Sequence, residues 1–169
     1  MNPLITLAAL TGPPEHEAAV IAPRRIEARD LPELTQMYQQ AYADGPAHAS
    51  NGNAGRIGAL FDGVHGRPVP EASLVTGGSD GRLSAAIIIT DCTPGNEGAA
   101  EACIAELFTH PDHRRQGLAE ELLRYSMHAL HALGRTTVAV SVDSSNSAAL
   151  ALYLSRDFRR FAVDDRNND

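Results

Sequence analysis

Residues 104–119 form the stretch of the sequence whose residue types and spacing are best suited to chemistry. An apolar strand there ends at a Pro turn, and a basic loop that contains Gly117 opens a long helix. The first backbone N–H groups of a helix have no intrahelical partner and carry partial positive charge. Gly117 and the small Ala119 let an anion approach these groups closely. Arg114 and Arg115 can donate charge-assisted hydrogen bonds, so the segment predicts a cradle for a pyrophosphate.

A simpler interpretation of the same loop is that Arg114, Arg115 and Gln116 merely solvate the start of the helix. The preceding strand, the Pro-Asp turn and the helix come in the order that a backbone anion site requires, which favours binding over solvation. The loop is neither a P-loop nor a dinucleotide-binding turn, since it lacks both Gly-x-x-x-x-Gly-Lys and Gly-x-Gly-x-x-Gly.

Hydrophobic periodicity and turn residues predict the elements that must position this loop. Strands are predicted at 25–28, 72–76, 83–90, 101–109, 136–142 and 158–163, and helices at 30–42, 57–64, 118–133 and 148–154. Short turns between the second, third and fourth strands predict an antiparallel meander, and the run Ile87-Ile88-Ile89 predicts burial on both faces. The strand–helix–strand order at the end of the chain predicts parallel pairing there. These features indicate an α/β (α+β) fold with a mixed sheet and helices on both faces.

Length and turn composition predict one domain with short flanking segments. The chain has 169 residues, which fits a single ordinary domain, and 43% of them are hydrophobic, enough for a packed core. Residues 1–22 contain Thr-Gly-Pro-Pro and little periodicity, so we expect a flexible, strand-poor N-terminal extension there. The domain is predicted to span 23–165, and residues 166–169 to form a frayed tail.

Two motifs make the sequence similar to a known family. Residues 114–119 resemble the acyl-CoA pyrophosphate signature Q/R-x-x-G-x-G/A of the GNAT superfamily of N-acetyltransferases, and the strand before them resembles the one that precedes that signature. Downstream, residues 140–142, Asn146 and Leu152-Tyr153 resemble the second conserved block, in which a strand is followed by Asn, a helix and Leu-Tyr. The resemblance covers residues 101–158, and the first half of the chain fits by pattern alone.

The resemblance implies a fold and an acyl donor. Proteins of this family have a mostly antiparallel sheet of six to seven strands, which splays into a V where acetyl-CoA lies between two parallel strands. On that pattern, Leu107, Phe108 and Thr109 hold the pantetheine and the acetyl carbonyl through their backbone. Asn146 bonds the pantetheine arm, and it can at the same time cap the helix that follows. The pyrophosphate is held by the backbone of the basic loop, at Arg114, Arg115, Gln116, Gly117, Leu118 and Ala119.

The resemblance also implies a proton donor and two candidates for a general base. Tyr153 matches the tyrosine that protonates the departing CoA thiolate, which suits a phenol with a pKa of about 10. Taken alone, a tyrosine on the apolar face of a helix is usually part of the core, and it is the place of Tyr153 seven residues after Asn146 that favours the functional role. Glu101 matches a proposed base of ribosomal-protein N-terminal acetyltransferases, and Glu106 matches an acidic position common in small-amine acetyltransferases. Strand alternation places the two acids on opposite faces unless a bulge changes the parity, and either acid can instead be solvated.

The activity implied by the resemblance is transfer of an acetyl group from acetyl-CoA to a primary amine by direct attack in a ternary complex. The base can act through water, or be unnecessary if the amine arrives neutral. One alternative within the same fold is a non-catalytic regulatory module that binds acyl-CoA, and a second is a structural or interaction domain whose cofactor site has decayed. The acceptor, a small-molecule amine or a peptide N-terminus, cannot be read, because residues 38–70 contain no motif that assigns it. A homodimer is a common state among similar proteins.

Composition bounds the partners. The net charge of −7 argues against nucleic acid, which requires a broad basic surface. No apolar run can cross a bilayer and the N-terminus lacks a basic start, so we expect a cytoplasmic protein with no membrane partner. Cys92 and Cys103 are too few for a disulfide framework, and Cys103 is expected to be a buried thiol. No metal cofactor is expected, since His110 and His113 lack further ligands nearby.

Overall fold

The computed structural model describes residues 3–12, 22–43, 55–91 and 101–160. Its strands are β1 (Leu4–Leu10), β2 (Arg24–Arg25), β3 (Leu74–Gly77), β4 (Leu83–Thr90), β5 (Ala102–Thr109), β6 (Thr137–Asp143) and β7 (Arg159–Arg160). Its α-helices are α1 (Leu31–Tyr42), α2 (Gly55–Phe61), α3 (Leu118–Ala132) and α4 (Ser147–Ser155). The predicted tail 166–169, residues 161–163 of the last predicted strand, and Cys92 lie outside the described residues.

The strands form one mixed sheet in the order β2-β3-β4-β5-β6-β1-β7. Neighbouring strands are antiparallel except β5 and β6, which pair in parallel. The predicted meander is present as β3, β4 and β5, and the predicted α/β (α+β) class with a mixed, mostly antiparallel sheet is confirmed. The last two strands of the chain, β6 and β7, are separated by β1 in this sheet, so parallel pairing occurs one strand earlier than predicted.

Helices cover both faces of the sheet, as predicted. On one face, α1 and α2 bury Leu34 and Ile57, and on the other α3 buries Leu122 and Leu130. All eight residues of β4 are buried, and its alternating side chains enter the two cores in turn. The apolar run Ile87-Ile88-Ile89 therefore marks the strand that both cores share.

The N-terminal strand differs from its expectation. The sequence predicts a strand-poor extension over residues 1–22, but Leu4–Leu10 pairs with β6 along all seven of its residues and with β7 on its other side. Leu7 is only 2% exposed and lies in the core that α3 covers. The segment LITLAAL has few β-branched residues, so its strand conformation depends on the pairing partners that the sheet offers. The sheet thus includes residues that precede position 23.

Strand β5 separates from β6 partway along its length. Among the described residues the two strands pair at only three positions, from Ala102 to Ile104. Against β4, Ile104 faces Ile89 and Glu106 faces Ile88, so Ala105 is the extra residue of a β-bulge. Beyond Ala105, β5 keeps β4 alone as its partner in the described sheet, which opens the expected V between the two parallel strands.

Cys103 differs from its predicted state. It lies on β5, is half-buried and is disulfide-bonded, so the predicted buried thiol is wrong. A strand position whose side chain is only partly covered by the core leaves its sulfur reachable for such a bond. Cys103 therefore offers no free thiol to the chemistry of β5.

Candidate active site

The basic loop turns sharply between β5 and α3. His110 Nδ1 accepts a hydrogen bond of 3.1 Å from the Asp112 amide and so begins a 3-10 turn. Two residues then adopt left-handed backbone angles, Arg115 with φ of 64° and Gly117 with φ of 74°. Gly117 is the N-cap of α3 and provides no side-chain oxygen to the first turn. The first amides of α3 are therefore free of a side-chain cap and are suited to binding an anion.

A cleft of about 230 Å³ lies in front of this loop. Its lining residues are Thr109, His113, Arg114, Arg115, Gly117, Leu118, Ala119, Glu120 and Leu152. Six of them were predicted from the sequence to hold the acyl donor, whereas His113, Glu120 and Leu152 were not. The predicted residue Gln116 is exposed and does not line the cleft. The cleft combines guanidinium groups and helix amides with apolar side chains, which suits a phosphate joined to an uncharged chain.

The charged side chains around the cleft differ in the partners that the described residues give them. Glu120 lines the cleft, and Arg156 at the end of α4 forms an ion pair with it. Arg114 donates from Nη2 to the Ala41 carbonyl at 2.9 Å, which ties the loop to the last turn of α1. Arg115 is exposed and forms no ion pair with any residue that the structure describes. Its charge is thus the one most readily offered to a phosphate.

The backbone of β5 beyond the bulge has one free edge. Leu107, Phe108 and Thr109 pair with β4 on one side, and on the other side no described strand faces them. Phe108 is buried and meets the Tyr38 ring edge-on, with 5.3 Å between ring centroids. The three predicted residues therefore form one wall of the V, and on its open side no strand that the structure describes pairs with their peptide groups.

Glu106 is the centre of a buried polar cluster on the same part of β5. Its carboxylate accepts hydrogen bonds from Tyr38 Oη at 3.3 Å and from Tyr42 Oη at 3.0 Å, both on α1. Arg56, in the first turn of α2, donates from Nε to Glu106 Oε1 at 3.1 Å. The same guanidinium donates from Nη2 to the Ala105 carbonyl at 3.4 Å. The Glu106 side chain is 11% exposed, so its charge depends on these partners rather than on water.

Burial shifts the acidity of this cluster. It raises the pKa of the Glu106 carboxyl above its usual value, against the opposing effects of Arg56 and of the hydrogen bonds from Tyr42 and Tyr38. Burial also raises the pKa of the Tyr153 phenol, and the charge of Glu106 raises it further. The pKa values of Tyr38 and Tyr42 are raised for the same two reasons. The phenols therefore keep their protons at neutral pH, and the carboxyl is the group whose charge can change.

Helix α4 carries the two predicted residues of the second motif. Tyr153 is 4% exposed and meets Phe158 edge-on, with 5.1 Å between ring centroids. Asn146 is exposed and caps the helix, because its Oδ1 accepts a hydrogen bond of 3.1 Å from the Ala149 amide. The cap uses only the oxygen of Asn146, so its side-chain NH2 group can still donate to a ligand.

Glu101 lies at the opposite end of β5 from the cluster. Its Oε2 accepts a hydrogen bond of 2.7 Å from the Thr136 amide, and its own amide donates to Thr137 Oγ1 at 2.9 Å. Five residues along a strand separate it from Glu106 by about 16 Å. The structure therefore brings Glu106 and Tyr153 within electrostatic reach of each other, and holds Glu101 at the junction of β5 and β6.

Three residues of the cluster were missed by sequence reasoning. Tyr38 and Tyr42 were predicted only as part of the first helix. Their spacing of four residues places both phenols on one helix face, and a buried phenol needs a hydrogen-bond partner, which was the available signal. Arg56 is 50 residues from Glu106 in sequence, and no local pattern connects the two.

The part of the chain that the structure describes contains neither a cluster of metal-binding side chains nor a helix that could span a membrane. Among the described residues, no three or more His, Cys, Asp or Glu side chains are grouped so that they could hold a metal ion. No described helix has both the length and the apolar character needed to cross a membrane.

Comparison with known sequences finds a family match that runs from α1 to just beyond α4. The sequence profile of the family described as Acetyltransferase (GNAT) family matches residues 32–158. The chain is also 36% identical over 63 residues to the ribosomal protein bS18-alanine N-acetyltransferase of Escherichia coli K12. That alignment covers 37% of this chain and 43% of the relative, so the chain spans less than half the length of the curated relatives it matches.

Solved structures share the fold. The ribosomal-protein-S18-alanine N-acetyltransferase from Escherichia coli superimposes with a TM-score of 0.65 and 25% identity, over 83% of this chain and 79% of that one. A GNAT family acetyltransferase from Brucella melitensis, solved in complex with acetyl-CoA, superimposes with a TM-score of 0.63 and 18% identity. The second match covers 85% of this chain and 88% of the other, and at this identity it shows the fold alone.

Proposed function

Because the chain belongs to the acetyltransferase (GNAT) family, we propose that it is an acetyl-CoA-dependent N-acetyltransferase that acts on a primary amine by direct attack in a ternary complex. The observation that carries the proposal is the buried Glu106 carboxylate, which influences Tyr153 electrostatically and lies beyond the bulge of β5. Burying a carboxylate costs free energy, and a group with a shifted pKa in such a place favours a functional role over a packing role.

In this proposal the cleft in front of α3 holds the pyrophosphate of acetyl-CoA. Arg115 and the backbone amides of residues 117–119 donate hydrogen bonds to the phosphates, while Arg114 braces the loop against α1. The Arg156 partner of Glu120 offsets the one negative side chain that lines the cleft. Acetyl-CoA supplies the acetyl group as a thioester, which an amine can attack.

The free edge of β5 positions the reacting carbonyl. Peptide groups of Leu107, Phe108 and Thr109 hydrogen-bond the pantetheine and stabilise the negative charge that develops on the acetyl oxygen. The NH2 group of Asn146 holds the pantetheine arm from the other wall of the V, while its oxygen keeps the cap of α4. Pairing with β4 fixes the first wall and the helix cap fixes Asn146 on the second, so the donor is held by ordered elements.

Glu106 is the general base of the proposed reaction. It takes one proton from the ammonium, and the lone pair of the neutral amine so formed makes the bond to the acetyl carbon as the bond from carbon to sulfur breaks. Tyr153 donates a hydrogen bond to the departing sulfur and passes a proton to it, and the second proton of the amine restores the phenol. Glu106 later releases its proton to solvent. We assign the base to Glu106 rather than Glu101, because Glu101 lies before the bulge, where β5 is still paired with β6, about 16 Å along the strand from Glu106.

The proposal is tested first by donor binding and then by transfer. Calorimetry measures the affinity of the purified chain for acetyl-CoA, and release of the CoA thiol is followed with a panel of acceptors. The panel includes alkylamines, an amino acid, a polyamine, an aminoglycoside and peptides with N-terminal alanine, the last because of the name of the Escherichia coli relative. Arg115→Gln should weaken donor binding. Arg29→Gln, at an exposed position just before α1, is the control that removes one charge elsewhere.

The outcomes separate the two functions that the fold can support. Thiol release that requires an amine supports the transferase. Tight acetyl-CoA binding without transfer to any acceptor overturns it in favour of an acyl-CoA-binding regulatory module. A chain with no affinity for CoA or acetyl-CoA contradicts both.

A further inference from the structure

Arg56 occupies the approach to the Glu106 carboxylate. Its Nε lies 3.1 Å from Glu106 Oε1, and its Nη2 lies 3.4 Å from the Ala105 carbonyl. The Arg56 side chain is 31% exposed and the Glu106 side chain 11% exposed, so the guanidinium reaches inward from the solvent side. A cation supplied by the protein itself thus sits against the buried carboxylate.

The two oxygens that Arg56 binds are also the ones that an incoming ammonium would need. An ammonium is a compact cation with three donors, and a carboxylate with a neighbouring carbonyl is a suitable set of acceptors for it. Ala105 is the bulge residue at which β5 leaves β6, so its carbonyl lies where the V begins to open. An amine close enough to lose a proton to Glu106 would contact the same Oε1 atom that Arg56 now holds.

We propose that Arg56 occupies the subsite of the acceptor amine in the free protein, and that a protonated aliphatic amine takes its place on Glu106. This inference rests on the proposed transferase function. The exchange replaces one cation by another, so the buried carboxylate never lies without a positive partner. A neutral arylamine cannot make the exchange, which restricts the acceptor to the aliphatic ammonium class. After transfer the amide product is uncharged, and Arg56 returns to Glu106 and helps to displace the product.

The surroundings of the carboxylate favour an exchange at this position. The titratable groups around Glu106 are Tyr38 and Tyr42 from α1, Arg56 from α2 and Tyr153 from α4. The tyrosines are neutral at working pH, so Arg56 is the one positive group in this set. The two phenols of α1 keep their hydrogen bonds to Glu106 whichever cation is bound, and they hold the carboxylate in place during the exchange.

The test measures binding of small cations without acetyl transfer. The probes are n-butylammonium and methylguanidinium, with aniline as the neutral amine. Affinity is measured by calorimetry or NMR titration at about pH 8.5, well above the pKa of an ordinary carboxyl. Arg56→Gln should bind both cations about three- to fivefold more tightly than the wild type, the factor of a partly exposed ion pair, with no gain for aniline. Arg56→Lys keeps the charge but cannot make the same two contacts with Glu106 and Ala105, so methylguanidinium should bind it more tightly than the wild type. Arg29→Gln, which removes a surface charge, should not differ from the wild type.

Turnover provides a second measurement. Because Arg56 lowers the pKa of Glu106, Arg56→Gln should move the acid limb of kcat/KM to higher pH, and above that limb its KM for an alkylamine should be lower than that of the wild type. Unchanged or weaker cation binding in a folded Arg56→Gln overturns the inference. If Arg56→Gln does not fold, Arg56→Lys is tested in its place, and methylguanidinium should inhibit this variant more strongly than it inhibits the wild type. Equal inhibition of the two proteins overturns the inference. A wild type without turnover but with the expected cation binding contradicts the proposed function alone.

Discussion

Two opposing effects meet at the Glu106 carboxylate. Burial disfavours its charged form, whereas Arg56, Tyr42 and Tyr38 stabilise that form through charge and hydrogen bonds. The effect of burial is the larger, so the pKa stays above the usual value of a glutamate. A base whose pKa lies closer to the working pH accepts a proton from an ammonium more effectively. The cluster thus makes the Glu106 carboxylate more basic than a glutamate in water, while Arg56 and the two phenols limit the rise of its pKa.

Replacement of Glu106 tests this role through the pH dependence of the reaction. In the wild type, kcat/KM should rise as the carboxyl loses its proton, with an acid limb above the pKa of an ordinary glutamate. Glu106→Gln should lower kcat by about 100-fold and remove that limb, since the amide does not titrate. Glu101→Gln is the matched control, and it should keep the limb in its place. A limb that survives in Glu106→Gln would assign the base elsewhere.

Replacement of Tyr153 tests the proton donor. Tyr153→Phe keeps the ring that packs on Phe158 and removes the hydroxyl alone. We expect kcat to fall by about 100-fold while the dissociation constant for acetyl-CoA, measured by calorimetry, stays within about twofold. Tyr125→Phe on α3 is the control for loss of a phenol outside the V, and should leave kcat unchanged. Equal rates for Tyr153→Phe and the wild type would remove Tyr153 from the reaction.

At the scale of elements, the sequence was informative where a local pattern determines the structure. The basic loop, the helix that follows it and the doubly buried β4 each carry a pattern of their own. A local pattern could not predict which face of the sheet the side chains of β5 occupy, because one extra residue at Ala105 reverses the alternation for every later residue. The site depends on that bulge and on contacts between α1, α2 and β5, which are far apart in the sequence.

The turn after α4 contains a testable strain. Asp157 has a positive φ of 67°, a backbone angle that glycine adopts freely and that Asp tolerates better than most residues. Asp157→Gly should therefore change the free energy of unfolding by no more than about 1 kcal/mol, on the stabilising side. Asp157→Ala keeps a Cβ and loses the polar side chain, so it should be less stable than both. Chemical denaturation measures the three proteins, and an alanine variant more stable than the glycine variant would contradict the strain.

At the scale of the whole molecule, the sheet is continuous from β2 to β7 because β1 fills the position between β6 and β7. Among the described residues, β6 pairs with β1 along its whole length and with β5 at three positions. Without β1, only the three pairs with β5 would hold β6 in the sheet. Strand β6 forms one wall of the V, and α4 follows it directly. The N-terminal segment therefore supports the wall that carries Asn146 and Tyr153, although it contains no residue of the site.

Two leucines of β1 provide a matched test of this role. Leu7 is 2% exposed and packs in the core with α3, whereas Leu10, three residues along the same strand, is 76% exposed. Leu7→Ala should lower the free energy of unfolding by about 2–5 kcal/mol, because it leaves a cavity in a packed core. Leu10→Ala should change it by less than about 0.5 kcal/mol, as a surface substitution does. Urea denaturation of both variants gives the comparison, and equal small effects would mean that β1 is not packed against the sheet in solution. If β1 supports the wall of the V, Leu7→Ala should also weaken acetyl-CoA binding at urea concentrations too low to unfold the chain, and Leu10→Ala should not.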